Sequence, residues 1–358
     1  AKMADYHIRL RPGTNVAVLN MMLYFIIESK LYKEDFILKR TEGFENFLKG
    51  IKKLDIDQLA KVAGVDKQQI KEAAIAYAAT KNSMEFHGLG VTEHEQGSKT
   101  VMLIADLAMI TGNIGRRGVG VNPLRGQNNV QGAADMGCQP HQGAGYLPVA
   151  DKKIQNFYSE KYGVVHPTKA GLKIPEIFDA AINKEIKALW IIGEDVVQTD
   201  PNSAHVAKAM NALDLLVVQE IFMSETAKHA DVVLPGTTFL EKEGTFTNTE
   251  RRVQRVNRAA KPLPGTKPDG IIVTEMMQKL GYDQKLYDAD EVLEEIADVV
   301  SFFKGITRER LGKLGLQWPV KEDGTDTKIL HEKEFKLGKG RIKYFDWKES
   351  SEIEKNKK

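Results

Sequence analysis

The pattern of apolar and polar positions changes character midway along the 358-residue chain. Residues 15–80 have the apolar periodicity of a run of helices, in which Asp66 and Gln69 form a capping-box pattern at a helix N-terminus. The segment 83–90 is predicted as a strand that enters a glycine-containing loop. The segment 98–115 is predicted as a helix that its glycines close. This half of the chain is therefore predicted to be rich in helices.

From about residue 175 the pattern becomes one of strands and helices in alternation. The run "IKALWIIG" (186–193) is continuously apolar, as expected of a strand covered on both faces. The segment 202–213 is a predicted crossover helix, and strands are predicted at 214–220 and 231–236 with a short helix, 223–230, between them. This order predicts a doubly wound α/β unit with a parallel sheet.

The predicted fold is thus α/β, with the doubly wound unit joined to a helix-rich α/β lobe. We expect this lobe to span residues 1–127 and to end in the loop that carries "RGQNN". The doubly wound unit is predicted at 128–238, a connecting segment with helices at 239–335, and a linker towards a further C-terminal domain at 336–358.

Composition narrows the function classes. A net charge of +2 gives no field that would favour nucleic acid or a membrane surface. The longest apolar stretch, residues 16–27, is too short to cross a bilayer, so no membrane insertion is expected. Cys138 is the only cysteine, which excludes an intrachain disulfide and an iron–sulfur cluster ligated by cysteines of this chain alone. Because the chain starts without methionine or a signal peptide, we expect a fragment, a processed product or half of a split protein.

The segment "VNPLRGQNNVQGAADMG" (121–137) has an unusual composition. Its single arginine, Arg125, is surrounded by five carboxamide side chains: Asn122, Gln127, Asn128, Asn129 and Gln131. A turn needs only one Asn or Gly to reach a positive φ. The segment also lies in a predicted irregular stretch, roughly 112–150, and loops of that length are usually functional. We therefore expect it to hold a ligand through neutral donors and acceptors and one fixed charge.

Polar residues also follow the predicted parallel strands, at the sheet edge where ligands of α/β proteins bind. Gly193 allows close backbone approach, Thr199 offers a hydroxyl, and Asp195 or Asp200 could accept hydrogen bonds from a ribose or a purine amino group. Gln219 follows the second strand. The glycine fingerprints of dinucleotide folds and P-loops are absent from the sequence. The alternative is that "GED" is only a helix-capping turn.

Two further groups of residues leave alternatives open. The segment "EGTFTNTERRVQR" (243–255) has two adjacent arginines, which form either an exposed basic edge or a site for phosphate or a pterin. The histidines show no metal-binding spacing, and His87, His94 and His141 are interpreted as structural. No residue of this chain is assigned as a metal ligand.

Several blocks, in this order, carry a resemblance to one family. They are "GLGVTEHEQG", "RGQNNVQGAADMG", "WIIGEDVVQTDP", "VVQEIFMSETAKHADVVLP" and "EGTFTNTERRVQR". Together they resemble the catalytic (alpha) subunit of molybdopterin-dependent formate dehydrogenases, within the dimethyl sulfoxide reductase family. The resemblance extends over essentially the whole chain, which would form the central portion of such a subunit.

The resemblance implies formate oxidation to carbon dioxide at molybdenum or tungsten, held by two molybdopterin guanine dinucleotides. It implies that Arg125 is the active-site arginine and that Gly126 and Gln127 lie beside the cofactor. It also implies that five residues bind one of the guanine dinucleotides: Gly193, Asp195, Thr199, Gln219 and Asp269. Electrons would pass to a [4Fe–4S] cluster and then to electron-transfer subunits, in a cytoplasmic enzyme or one attached to a membrane complex.

The family's metal-ligating cysteine or selenocysteine and its four-cysteine cluster motif lie upstream of the matched region. An N-terminal portion or a separate subunit would therefore supply them, and this chain alone is expected to be inactive. Ala134 and Glu93 stand where some relatives have cysteine and glutamine. A nitrate reductase-like oxidoreductase and a non-catalytic subunit of an electron-transfer complex are the alternatives.

Overall fold

A computed structural model of the chain describes residues 2–351. Its helices are α1 (Asn15–Glu28), α2 (Glu34–Arg40), α3 (Phe44–Ile51), α4 (Ile56–Ala63), α5 (Lys67–Ala79), α6 (Leu89–Thr92), α7 (Gly97–Ile110), α8 (Val130–Asp135), α9 (Lys152–Tyr162), α10 (Ile174–Ile182), α11 (Val196–Thr199), α12 (Ser203–Ala212), α13 (Asp269–Lys279), α14 (Ala289–Val299) and α15 (Arg308–Leu311). Its strands are β1 (Thr41–Glu42), β2 (Met84–His87), β3 (Gly120–Pro123), β4 (Gln142–Gly143), β5 (Leu147–Pro148), β6 (Ala188–Ile192), β7 (Leu215–Glu220), β8 (Val232–Pro235), β9 (Gly244–Thr247), β10 (Arg252–Val256), β11 (Leu316–Gln317) and β12 (Gly340–Arg341). None of the helices in residues 2–351 is long and apolar enough to cross a membrane.

The chain divides into two compact units. The first unit runs to Gly126 and resumes at Lys328, and the second unit spans Gln127–Thr327. The predicted connecting segment, 239–335, therefore belongs to the second unit as far as Thr327. The predicted linker, 336–358, belongs to the first unit in its described part.

The first unit is built around α1, which packs against α4, α5 and α7. This helix is apolar around most of its circumference, so it can be buried on all sides. The predicted run of helices is confirmed. Asp66 is the N-cap of α5, and its carboxylate accepts a hydrogen bond from the Gln68 amide at 2.8 Å. Beside the helices, β2 and β3 form a two-stranded parallel sheet.

The C-terminal part of the first unit is integrated into this core. Strand β12 pairs in parallel with β1, and the Ile342 amide donates to the Glu42 carbonyl at 2.9 Å. The Asn20 side chain donates to the Phe345 carbonyl at 2.9 Å, and the Trp347 indole donates to the Gly13 carbonyl at 3.1 Å. The apolar residues of this segment are thus part of the fold of the first unit, which differs from the predicted linker.

The second unit contains a parallel sheet of order β6-β7-β8, and the α/β class is confirmed. Helices α10 and α12 pack on the face that presents Ile191, Leu216 and Val218. On the opposite face, Leu215 and Val232 remain 42% exposed. The apolar run of β6 predicted a strand covered on both faces. Within the described residues, these positions of the second face are only half covered.

The remainder of the second unit is formed by the antiparallel sheet β9-β10-β11, with α14 and α15 packed around it. The stretch 112–150, predicted as irregular, contains β3 and α8 as well as the short strands β4 and β5. Helix α8 therefore gives regular structure to the second half of the amide-rich segment.

A buried carboxylate ties α8 to two distant parts of this unit. Asp135 is fully buried and accepts hydrogen bonds from Gln131 Nε2 (2.8 Å), the Tyr146 hydroxyl (2.6 Å) and Trp318 Nε1 (2.9 Å). Hydrogen bonds to a charged group are stronger than neutral ones, and the loss of one leaves a buried donor unsatisfied. Asp135 is thus a link between α8, the turn at Tyr146 and the segment that carries Trp318.

We predict that Asp135→Asn lowers the free energy of unfolding by about 2–4 kcal/mol, because an amide loses the charge and offers one acceptor oxygen instead of two. Urea unfolding of the purified chain measures this. Asp151→Asn is the matched control, because Asp151 caps α9 by accepting the Lys153 amide and asparagine caps helices equally well. Equal losses in the two variants would contradict the assigned role of Asp135.

Candidate functional site

The carboxyl ends of β6, β7 and β8 form one edge of the parallel sheet. Gly193 follows β6 and has a φ of +64°, which favours glycine. Its amide donates to the Gln219 carbonyl at 2.9 Å and so continues the ladder beyond β6. Among the described residues, no atom lies within 4 Å of the position where a Gly193 side chain would begin. The edge is open at this point, and a ligand can approach the backbone.

Gln219 and Asp269, both predicted as site residues, are in contact at this edge. Gln219 is only 1% exposed, and its Nε2 donates to Asp269 Oδ1 at 2.7 Å. Lys242 forms an ion pair with the other oxygen of Asp269 and donates to the Thr237 carbonyl at 3.3 Å. Gly236 lies beside them, and a Cβ there would lie 3.0 Å from Asp269 Oδ1, so a side chain would require the carboxylate to shift. We name Gln219, Asp269 and Lys242 the edge triad.

Two polar atoms in this region have unmet hydrogen-bonding capacity. Gln219 Oε1 and Thr237 Oγ1 are buried and have no hydrogen-bond partner within residues 2–351. Buried polar atoms are normally paired, since an unpaired one is destabilising by about 1–3 kcal/mol. With the open backbone at Gly193, these atoms make the edge triad the best-supported ligand site of the second unit.

Asp195 has a different arrangement. Its carboxylate accepts hydrogen bonds from the Thr226 amide (2.8 Å), the Thr226 hydroxyl (2.6 Å) and the Glu225 amide (3.3 Å). Partial burial acts to raise the pKa of Asp195, but these hydrogen bonds outweigh it, so the pKa is lowered. The Thr199 hydroxyl donates to Glu194 Oε1 at 2.6 Å. Asp195 therefore clamps the loops that follow β6 and β7, and a ligand contact for Asp195 or Thr199 stays a prediction.

Arg125 and Gly126 end the contiguous N-terminal part of the first unit, and Gln127 opens the second unit. Arg125 is exposed and follows β3, which pairs with β2 so that His87 lies opposite Pro123. Burial lowers the pKa of His87, and the positive charge of Arg125 lowers it further. Arg125 thus lies close enough to His87 for the two to interact electrostatically.

The amides around Arg125 are largely committed to the protein itself. Asn122 Nδ2 donates to the Gly120 carbonyl at 3.0 Å, and Asn129 Oδ1 accepts from the Thr247 amide at 2.9 Å. Gln131 belongs to the Asp135 cluster described above. Of the five carboxamides, these three have structural partners, whereas Gln127 and Asn128 are exposed. Three of the five amides thus also stabilise the fold, and ligand contacts for the amides stay a prediction.

The two adjacent arginines also bind within their own unit. Arg251 has a φ of +65°, and its guanidinium donates to the carbonyls of Trp318 and, at 3.1 Å, Thr327. Arg252 Nε pairs with Glu250 Oε1 at 2.9 Å. Both guanidinium groups therefore have partners within the protein, without a phosphate or a pterin. The two arginines do not form a simple exposed basic edge.

Sequence reasoning missed Lys242, which lies in "LEKEGTF" among charged residues and resembles solvated surface. Thr237 could have been identified from the sequence, because it belongs to the "PGTT" segment that follows the third strand.

Within the described residues, no group of three or more His, Cys, Asp or Glu side chains could hold a metal ion.

The comparisons of this chain with known proteins agree on one family. Residues 1–279 match the family described as molybdopterin oxidoreductase. The chain is 44% identical over 358 residues to the F420-dependent formate dehydrogenase subunit alpha of Methanocaldococcus jannaschii, with 99% of this chain and 53% of that protein covered. It is 39% identical over 354 residues to formate dehydrogenase H of Escherichia coli, with 97% and 50% covered. The chain thus spans about half the length of the curated relatives it matches.

Among solved structures, the acetylene hydratase of Pelobacter acetylenicus matches with a TM-score of 0.71 at 21% identity. The match covers 99% of this chain and 50% of that protein, and it shows that the two share a fold. The family match extends over much more than half of the chain, and the fold comparison agrees with it. The chain therefore belongs to the molybdopterin oxidoreductase family.

Proposed function

We propose that this chain works in an enzyme that oxidises formate to carbon dioxide, and that its second unit binds the guanine end of a molybdopterin guanine dinucleotide. The edge triad is the observation that supports the nucleotide site. Its members Gln219 and Asp269, together with Gly193, are predicted cofactor-binding residues, and they meet at one sheet edge. Two such dinucleotides would hold molybdenum or tungsten.

The chemistry of the edge triad suits guanine. The hydrogen-bonding edge of guanine presents two N–H donors beside a carbonyl acceptor. The Asp269 carboxylate accepts hydrogen bonds, the Lys242 ammonium donates them, and Gln219 Oε1 adds a buried acceptor. The same edge of adenine presents one donor, its amino group, beside a ring nitrogen that accepts. Adenine would therefore offer the Asp269 carboxylate only a single donor. The residues present therefore fit a guanine nucleotide better than an adenine nucleotide.

Arg125 is proposed to bind the formate carboxylate. Its guanidinium is positively charged, and its planar fork can hold both oxygens of a carboxylate. When bound, the pterin-held metal would supply the acceptor for the electron pair of the C–H bond of formate. We propose that the electrons then pass to a [4Fe–4S] cluster and to electron-transfer subunits. In this proposal, Arg125 attracts the formate anion and orients it.

For the nucleotide site, we predict that the chain binds GDP more tightly than ADP and that Asp269→Asn weakens GDP binding by about ten- to a hundredfold. The reason is the loss of one charge-assisted hydrogen bond, about 1.5–3 kcal/mol. Equilibrium titration with each nucleotide measures both effects.

Asp231→Asn is the matched control, because Asp231 accepts the Leu216 amide at the amino end of β7 and is outside the edge triad. It should lower the melting temperature and change GDP affinity by less than about twofold. Equal affinity for GDP and ADP, or an unchanged GDP affinity in a folded Asp269→Asn variant, would rule out the guanine site.

For the formate site, we predict that Arg125→Lys in the cofactor-loaded enzyme lowers kcat/KM by about ten- to a hundredfold while metal and pterin content stay unchanged. Lysine keeps the charge but loses the fork, so formate is attracted without being oriented. Formate kinetics beside metal and pterin analysis measure this. Arg117→Lys, at an exposed position of the same unit, should keep full turnover. Loss of cofactor from the Arg125 variant would instead indicate a structural role.

A further inference from the structure

The second unit contains a cavity that is separate from the edge triad. It has a volume of about 170 Å³ and lies between α8, β9 and α14. Protein interiors are close-packed and leave few voids larger than a water molecule, so a cavity of this size is unusual. It is too small for a nucleotide, since pockets for cofactors usually exceed about 300 Å³. The cavity therefore suits a small ligand.

The walls of this cavity carry no charge. Among the described residues, none of the side chains that line it is acidic, basic or a histidine. Its apolar wall comes from the end of α8, from α14 and from the segment after α14: Met136, Val292, Leu293, Ile296 and Phe303. A carboxylate placed there would lose its hydration without gaining an ion pair. The lining therefore excludes ions and favours an uncharged molecule.

The opposite side of the cavity carries hydrogen-bonding groups that the protein does not use. Asn129, the N-cap of α8, accepts the Thr247 amide on its Oδ1 at 2.9 Å. This bond orients the carboxamide and leaves its Nδ2 donor without a partner in residues 2–351. Thr245 and Thr247 are two residues apart on β9, so their hydroxyl-bearing side chains share the face that lines the cavity. This side is therefore suited to an oxygen that accepts a hydrogen bond.

Two close approaches fix the groups around the cavity. A side chain at Gly132 would collide with Asn129 Oδ1, so glycine leaves room for the asparagine. The ring of Tyr287 packs against Gly270, and its hydroxyl donates to the Glu243 carbonyl at 3.3 Å. The cavity thus has a defined shape, and its polar groups are already oriented.

We propose that this cavity binds a small uncharged molecule with an apolar body and one acceptor oxygen, the chemistry of small ketones and aldehydes. An apolar cavity of about 150 Å³ takes up one benzene molecule, which sets the size of the ligand. The apolar body packs against Leu293 and Ile296, and the oxygen accepts from Asn129 Nδ2. The bound molecule joins the start of α8 to α14. This site does not depend on the proposed function.

Three ring compounds of similar size test what the cavity requires. Cyclohexanone has the acceptor oxygen, methylcyclohexane lacks it, and cyclohexanecarboxylate adds a charge. Methyl NMR titration of the full chain follows Val292, Leu293 and Ile296, assigned through conservative variants such as Ile296→Val. Cyclohexanone should bind saturably and about two- to tenfold more tightly than methylcyclohexane, because it gains one hydrogen bond. Cyclohexanecarboxylate should leave these methyl signals unchanged.

Variants that fill the cavity test its position. Ala289→Leu should weaken cyclohexanone binding by about tenfold or more, because the added side chain occupies the space of the ligand. Val292→Phe is a second filling variant with the same expected result, and circular dichroism verifies that each is folded. Glu294→Leu, at an exposed position of α14 outside the cavity, is the matched control and should bind as wild type. Asn129→Asp keeps the acceptor for the Thr247 amide but removes the donor, so it should reduce the preference for the ketone.

Three results would overturn the site: no saturable shift of these methyl signals, equal binding of the carboxylate, or unchanged cyclohexanone binding in a folded filling variant. A chain that binds neither guanine nucleotides nor formate would overturn the proposed function instead. The methyl titration would still report the cavity, so the two failures are distinguishable.

Discussion

A carboxylate that is partly removed from water needs donors from its own protein to stay charged. At the edge of the parallel sheet, Asp269 receives them from Gln219 and Lys242, which come from β7 and from the segment after β8. This arrangement fixes the start of α13 against the sheet and orients both carboxylate oxygens. The candidate nucleotide site depends on it, because the recognition of a base requires acceptors in a fixed position.

The parallel sheet shows what sequence alone can establish. Strands β6 and β7 and helix α12 were predictable because apolar periodicity and short connections are local properties. The contacts of Asp135 were not predictable, since Trp318 lies 183 residues away along the chain. Lys242 was missed for the same reason, because its ion pair with Asp269 joins residues 27 positions apart. Long-range pairing of polar side chains leaves no periodic signal.

The amide-rich segment shows a limit of composition as evidence. Its density of donors and acceptors indicated a ligand site, and the family comparison agrees that it lies in a molybdopterin oxidoreductase. Yet Asn129 and Gln131 hold the protein together, through Thr247 and through Asp135. A carboxamide satisfies a backbone amide or a buried carboxylate as well as it satisfies a ligand. Only the fold distinguishes these uses.

The clamp between Asp195 and Thr226 has a consequence for how this family can vary. Three donors from one loop converge on a single carboxylate of another, and one of them is the threonine hydroxyl. A longer side chain at position 195, or the loss of the hydroxyl at position 226, leaves the partner group unsatisfied. Substitutions at the two positions are then energetically coupled. Across related proteins, the residues at 195 and 226 should therefore change together rather than independently.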